Sequence, residues 1–233
     1  MFSAFSRRII LVGLLTGLLL SGCSSTNQLY WNTLKLAFFP DTPSLTLEQV
    51  KSSKIDLLKV VHGERQPAFL ALAYIEGGHH KWVSADHAVL TMDNNKIIRT
   101  SGLQTNLQYT QGTDANPLRK EHSLNGQSWQ YQIDIEDKVY GLPVTSQWQE
   151  GQPETVTFYE QPLSVIPVTE VMTTEIQDPY WQHTERWENY YWLDASTREV
   201  VYSEQQATPY SERMVMTYVS RIARLLNESE SDL

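Results

Sequence analysis

Apolar and polar positions along the chain fall into three regimes. Ile9–Leu20 is an apolar run broken only by Gly13, Thr16 and Gly17. It is shorter than the roughly 20 residues a membrane span needs. In Leu29–Phe39, Tyr30, Leu34, Ala37 and Phe38 recur at helical spacing, and Pro40 and Pro43 end the stripe. Thr46 with Gln49 three residues on is a capping-box pattern, which predicts a short helix over 47–52. Beyond residue 54 the period shortens to that of strands.

Ile55–His62 and Ala68–Ile75 are apolar runs joined by Gly63–Pro67, the pattern of a hairpin. Gly77-Gly78 then separates off His79–Ser84. Ala88–Met92 and Lys96–Thr100 flank the turn residues Asp93-Asn94-Asn95. Leu103–Asp114 is polar and reads as irregular. Ser128–Ile135 alternates apolar and polar strictly. Val144–Trp148 and Thr155–Tyr159 flank Glu150–Pro153. Leu163–Met172 is extended, and Pro167 inside it predicts an edge or bulged strand. Trp187–Leu193 and Arg198–Gln205 form a meander around Asp194–Thr197. A strand from Arg213 to about Val219 follows, then a short helical tail. The reading is mostly β: a curved antiparallel meander sheet or partly open barrel with short N-terminal helices, a single domain over 29–226. The polar, acidic stretch 227–233 reads as disordered.

Composition strengthens the β reading. Seven Trp, twelve Tyr and six Phe, with many Val, Ile and Thr, suit a pleated, half-buried surface. Charge adds an exclusion. The formal net charge is −9, and loss of Arg7 and Arg8 with a leader takes it to −11. So acidic a chain is a poor partner for nucleic acid.

The N-terminus supplies the clearest chemistry. Arg7 and Arg8 precede the apolar run, and Leu20-Ser21-Gly22-Cys23 closes it. The tetrapeptide matches the bacterial lipobox. The match implies a signal peptide over 1–22, cleavage before Cys23, and lipidation (thioether diacylglycerol plus palmitate) of that residue. More than one acyl chain gives a stable membrane anchor. Ser24, in place of Asp, implies sorting to the outer membrane, facing the periplasm. Cys23 is the only cysteine, so no intramolecular disulfide is available. The tether 23–28 is short: Ser24–Gln28 extends at most about 18 Å, so the domain is expected close to the bilayer.

Other chemistry is sparse. The sequence holds no nucleophile elbow, P-loop or dinucleotide turn. His79, His80, Asp86 and His87 lack a known metal spacing, and no metal or other cofactor is expected. Glycoside cleavage would need two carboxylates such as Asp134, Glu136 and Asp137 across a cleft, which spacing in sequence does not show, and a solvated strand end is the better account of them. Tyr180–Trp192 is rich in rings. Trp82, Trp181, Trp187, Trp192 and Tyr190 are candidates for a glycan- or partner-binding surface, against the competing reading that they build the core. On 187–193, Trp187, Asn189, Tyr191 and Leu193 share one face, and Glu188, Tyr190 and Trp192 the other.

Several of these segments together resemble the YjbF/GfcB family of outer-membrane lipoproteins, encoded with capsule and exopolysaccharide secretion genes. The resemblance lies in Asn32–Phe39 (NTLKLAFF), the helix start Thr46–Val50, Ile75–Gly78 with Lys81–Asp86, the Tyr191–Asp194 turn and Gln205–Pro209. Pro40 stands where that family has Gly. The resemblance implies a strongly curved β fold, a non-enzymatic accessory role in polysaccharide export or assembly, and no catalytic residues. Polysaccharide or secretion-machinery proteins are the expected partners, besides the membrane reached through Cys23. A lipid or lipoprotein carrier with an apolar cavity is the alternative, and a glycan hydrolase the third.

Overall fold

The computed structural model describes residues 45–119, 122–178 and 181–231. The signal peptide, Cys23, the tether and the stripe Leu29–Phe39 lie outside the described residues. The short helix α1 (Leu47–Lys51) opens the described chain. Thr46 Oγ1 accepts from the Gln49 amide, and the Gln49 side chain accepts from the Thr46 amide. This is the expected capping box. Thirteen strands follow: β1 (Leu57–His62), β2 (Ala68–Glu76), β3 (His79–Val83), β4 (Val89–Asp93), β5 (Lys96–Ser101), β6 (Leu107–Gln111), β7 (Ser128–Ile135), β8 (Val139–Glu150), β9 (Glu154–Phe158), β10 (Gln161–Asp178), β11 (Trp181–Asp194), β12 (Val200–Gln205) and β13 (Met214–Thr217). The helix α2 (Val219–Ser231) ends it, running past Asn227, where the sequence reading has disorder begin.

All strands belong to one antiparallel sheet in the order β5-β4-β3-β2-β1-β13-β12-β11-β10-β8-β7-β6, with β9 paired to β10. The sheet curls into a nearly closed barrel, the expected fold class, and β5 and β6 meet at its seam. No backbone ladder joins them among the described residues. Two threonines stitch the seam instead. Thr100 Oγ1 accepts from the Leu107 amide at 2.9 Å, and Thr110 Oγ1 donates to the Ile98 carbonyl at 2.8 Å.

Period-2 alternation puts one face of each strand inside. On β7, Trp129, Tyr131, Ile133 and Ile135 are buried while Ser128, Gln130 and Gln132 are exposed. One continuous cluster fills the interior, from Leu58 and Trp82 on one side to Trp148, Trp187 and Tyr191 on the other. Outside, α2 covers part of the sheet: Ile222, Leu225 and Leu226 pack on Val165 and Val201. This explains why Val200 and Val201 are both buried although they face opposite ways. One end of the barrel is plugged by the connection after β6. Buried Asp93 accepts from Asn116 Nδ2 and, with both oxygens, from Arg119 Nε at 2.9 and 3.0 Å. Arg198 and Glu150 form a further ion pair there, and Glu150 also accepts from the Leu124 amide.

Two readings of the sequence need correction. Leu103–Asp114 is not irregular throughout: Leu107–Gln111 is the edge strand β6, with a register shift between Leu107 and Tyr109. Strand β10 is not an edge. It pairs with β11 along one side and with β9 and then β8 along the other. Pro167 is tolerated because it falls between the β9 ladder, which ends at Val165, and the β8 ladder, which begins at Val168. There its carbonyl accepts from the Gly151 amide at 2.7 Å.

Candidate functional site

The most unusual chemistry inside the barrel is a buried ion pair. Lys96 Nζ lies 2.8 and 2.6 Å from the two oxygens of Glu170, and both side chains are almost fully buried. Asn189 Nδ2 and the Tyr191 hydroxyl donate to Glu170 Oε2 at 3.1 and 3.0 Å. The Lys96 ammonium also lies 5.6 Å from the Trp129 ring centre and 5.5 Å from that of Tyr131. Burial pulls the Lys96 pKa down, and Glu170 opposes that shift. Burial, reinforced by the Glu170 carboxylate, pushes the Tyr131 and Tyr191 hydroxyls well above their ordinary range. Every member has a partner, and large side chains surround the pair. It is an internal brace, closed to substrate. Sequence inspection passed over it, yet the inward parity of Val168, Glu170, Met172 and Thr174 on β10 marks Glu170 as an inward charge.

The candidate aromatic surface divides. Trp82 is 4% exposed and Trp187 6%, so both are core residues, as strand parity requires of an inward-facing ring. Trp82 packs edge-on to Tyr218, and Trp187 Nε1 donates to the Gln206 carbonyl. Trp192 and Tyr190 are half-buried on the outer face of β11, as the parity reading predicts. Both are engaged: Trp192 Nε1 donates to Glu154 Oε1 at 2.8 Å, and the Tyr190 hydroxyl donates to Glu188 Oε2 at 2.6 Å. Trp181 begins β11, and its side chain is outside the described set. Among the described residues, the large aromatic rings that face solvent are Tyr74, Tyr109, Tyr140 and Tyr210.

One of them, Tyr109, lines a polar groove. At the seam, the outer faces of β5, β6 and β7 enclose a groove of about 440 Å³. Arg99, Thr100 and Ser101 come from β5, Gln108 and Tyr109 from β6, Asp134 from the end of β7, Glu136 from just beyond it, and Asn106 from the connection between β5 and β6. The register shift in β6 leaves Tyr109 opposite Asp134. Asp134 accepts from the Gly141 amide at 2.6 Å, next to exposed Tyr140. Glu136 accepts from Asn106 Nδ2 at 2.6 Å and Gln108 Nε2 at 3.5 Å. Asn106 is itself fixed: its Oδ1 accepts from the Leu103 amide and its Nδ2 also donates to the Leu103 carbonyl. The groove is thus a preset array of planar polar groups (carboxylate, amide, guanidinium) beside a phenol ring. Such groups pair with vicinal hydroxyls, and the ring offers a flat apolar face. The sequence singles out Asp134 and Glu136. It misses Gln108 and Tyr109, because the register shift breaks the alternation that would have marked β6, and it misses Arg99 and Asn106, because nothing local shows that β5 and its connection close against β6.

The histidines spread apart. His79 Nε2 lies 3.9 Å from Asp93, His80 faces the β4 side of the sheet, and His87 occupies a turn with φ of 66°. Among the described residues no group of three or more His, Cys, Asp and Glu side chains is placed to hold a metal ion.

Comparison with known proteins agrees with this architecture. Residues 31–219 match the family model described as "Group 4 capsule polysaccharide lipoprotein gfcB, YjbF". The lipoprotein GfcB of Escherichia coli K12 is 25% identical over 193 residues, which cover 81% of this chain and 87% of that protein. YjbF of the same strain is 27% identical, over 81% of this chain and 86% of that one. The crystal structure of the hypothetical lipoprotein YmcC, also from E. coli K12, superposes with a TM-score of 0.65 at 24% identity, over 75% of this chain and 88% of that chain. With a family match across nearly all of the described barrel, this chain belongs to the YjbF/GfcB family of capsule polysaccharide lipoproteins.

Proposed function

We propose that this protein is a non-enzymatic accessory lipoprotein of capsule or exopolysaccharide secretion, and that it binds glycan in the seam groove. Its place is the periplasmic face of the outer membrane, held there by lipid on Cys23. The observation that carries the reading is the groove itself: rigid polar side chains and the exposed Tyr109 ring, in a volume of the size that accommodates small ligands. Most small-molecule pockets are lined by apolar groups. A predominantly polar lining fits a hydroxyl-rich ligand. Asp134 and Glu136 against Arg99 leave the groove net negative, which suits neutral sugar units over densely anionic ones. Both carboxylates already hold structural hydrogen bonds, which favours binding over acid–base cleavage. The carrier alternative needs an apolar cavity, and here Trp129, Tyr131, Trp148 and Tyr191 occupy the interior with the Lys96–Glu170 pair.

Deleting the gene and measuring surface polysaccharide tests the reading. We expect polymer at the cell surface to fall, wild-type protein to restore it, and a Tyr109→Ala/Asn106→Ala protein of equal abundance to fail. Unchanged polymer in the deletion strain would sink the accessory role. Full restoration by the double variant would sink the groove's part in it.

A further inference from the structure

The β5–β6 connection borders two separate pockets, the seam groove being the first. On the far side of that connection lies a second, smaller pocket of about 150 Å³, where Gln104 and Thr105 meet Tyr210, Ser211, His62 and Glu212. The same short connection therefore lines both: Asn106 borders the first pocket, Gln104 and Thr105 the second. A separate contact joins them from the other direction. Lys138, in the turn between β7 and β8, lies with its ammonium 5.0 Å from the Tyr210 ring centre. That turn directly follows Asp134 and Glu136, and Tyr210 belongs to the connection between β12 and β13. All three connections emerge at the end of the barrel opposite the Asp93–Arg119 plug, because antiparallel pairing alternates the ends. Exposed rings mark this rim: Tyr109 at 56%, Tyr140 at 68% and Tyr210 at 41%.

Resting on the glycan reading above, we infer that the two pockets are successive subsites of one open track that binds an internal stretch of polysaccharide, with Tyr109 and Tyr210 as platforms for separate sugar units. A groove open at both ends admits a chain of any length, whereas a closed pocket would select a chain terminus. Once one unit is held, a neighbouring unit engages the second subsite at high effective concentration. Affinity then grows with chain length until both platforms are covered.

The test is binding of the purified full chain, in detergent, to fragments of graded length cut from the surface polysaccharide of the producing strain, read by calorimetry. We expect affinity to rise with length and then level off. We expect Tyr210→Ala to cut the ratio of long- to short-fragment affinity about tenfold, equivalent to about 1.4 kcal/mol, with Lys138→Ala moving it the same way. Length-independent binding with an unchanged ratio in Tyr210→Ala would overturn the track and leave the seam groove standing. Absence of binding by any fragment to wild-type protein would overturn both.

Discussion

Single residues carry unequal weight in this barrel. Lys96 and Glu170 are charges held out of water by their mutual contact and by Asn189 and Tyr191. Removing one partner strands the other. We predict that Glu170→Gln destabilises the fold by about 3–5 kcal/mol, whereas the paired apolar change Lys96→Met/Glu170→Leu is near neutral. Chemical denaturation of the three proteins checks this, and equal losses in both variants would contradict it. Gly151 is fixed by a different constraint. A Cβ there would meet Pro167 Cγ at 2.9 Å, against a ring that cannot rotate away, so Gly151→Ala should cost about 1–3 kcal/mol as overpacking does. The histidines set a pH dependence. His62 Nδ1 faces Arg65 Nη1 at 3.2 Å and so acts as acceptor, leaving Nε2–H toward Glu212. Burial, first among the causes, lowers the pKa of both His62 and His80. As pH falls below their ordinary value of 6.5, the unfolded chain takes up protons that the folded chain resists, so stability drops. Glu76, Asp86 and Glu150, whose pKa values are also lowered, act only below about pH 4.5. The melting temperature should therefore fall between pH 7 and pH 5.5, and His62→Gln/His80→Gln should flatten that slope.

At the scale of elements, local rules account for most of the sheet. The turn at Asn94-Asn95, with φ of 43° and 73°, and the Gly77-Gly78 turn both lie where the sequence places hairpins. The strict alternation of β7 and the two-faced β11 are also legible, because each buries one face and solvates the other. What escaped inspection has long-range causes. Strand β6 carries a register shift and a polar outer face, so it looks irregular alone and becomes a strand only against β7. Pro167 looks like an edge signal, because no local pattern reveals that β10 changes partner there. The candidate site is therefore half visible: Asp134 and Glu136 stand out, but Gln108 and Tyr109 belong to the missed strand, and Arg99 and Asn106 join the groove only when the seam closes. The seam is the element most open to test. Replacing Thr100 and Thr110 with Val leaves the Leu107 amide and the Ile98 carbonyl without these partners, a loss of about 1–3 kcal/mol at each buried group. Hydrogen exchange should accelerate in β5 and β6 and leave β10 and β11 unchanged. Uniform protection in the variant would mean that the seam is held by other forces.

For the whole molecule, the division of labour follows from what is filled and what is open. Large side chains occupy the interior, the connection after β6 plugs one end, and α2 shields part of the outer face. The polar array at the seam is one surface that this fold leaves open to a ligand; a second pocket of about 370 Å³ lies between α1 and α2, lined by Val50, Lys51, Asp56, Ser220 and Arg224. The most direct measurement of the central claim is titration of the purified protein with the surface polysaccharide of its own strain, alongside Tyr109→Ala. The account predicts saturable binding by the wild type, weakened about tenfold or more (about 1.4 kcal/mol) by the loss of one exposed ring. Binding of equal strength in the variant, or none in the wild type, would contradict it.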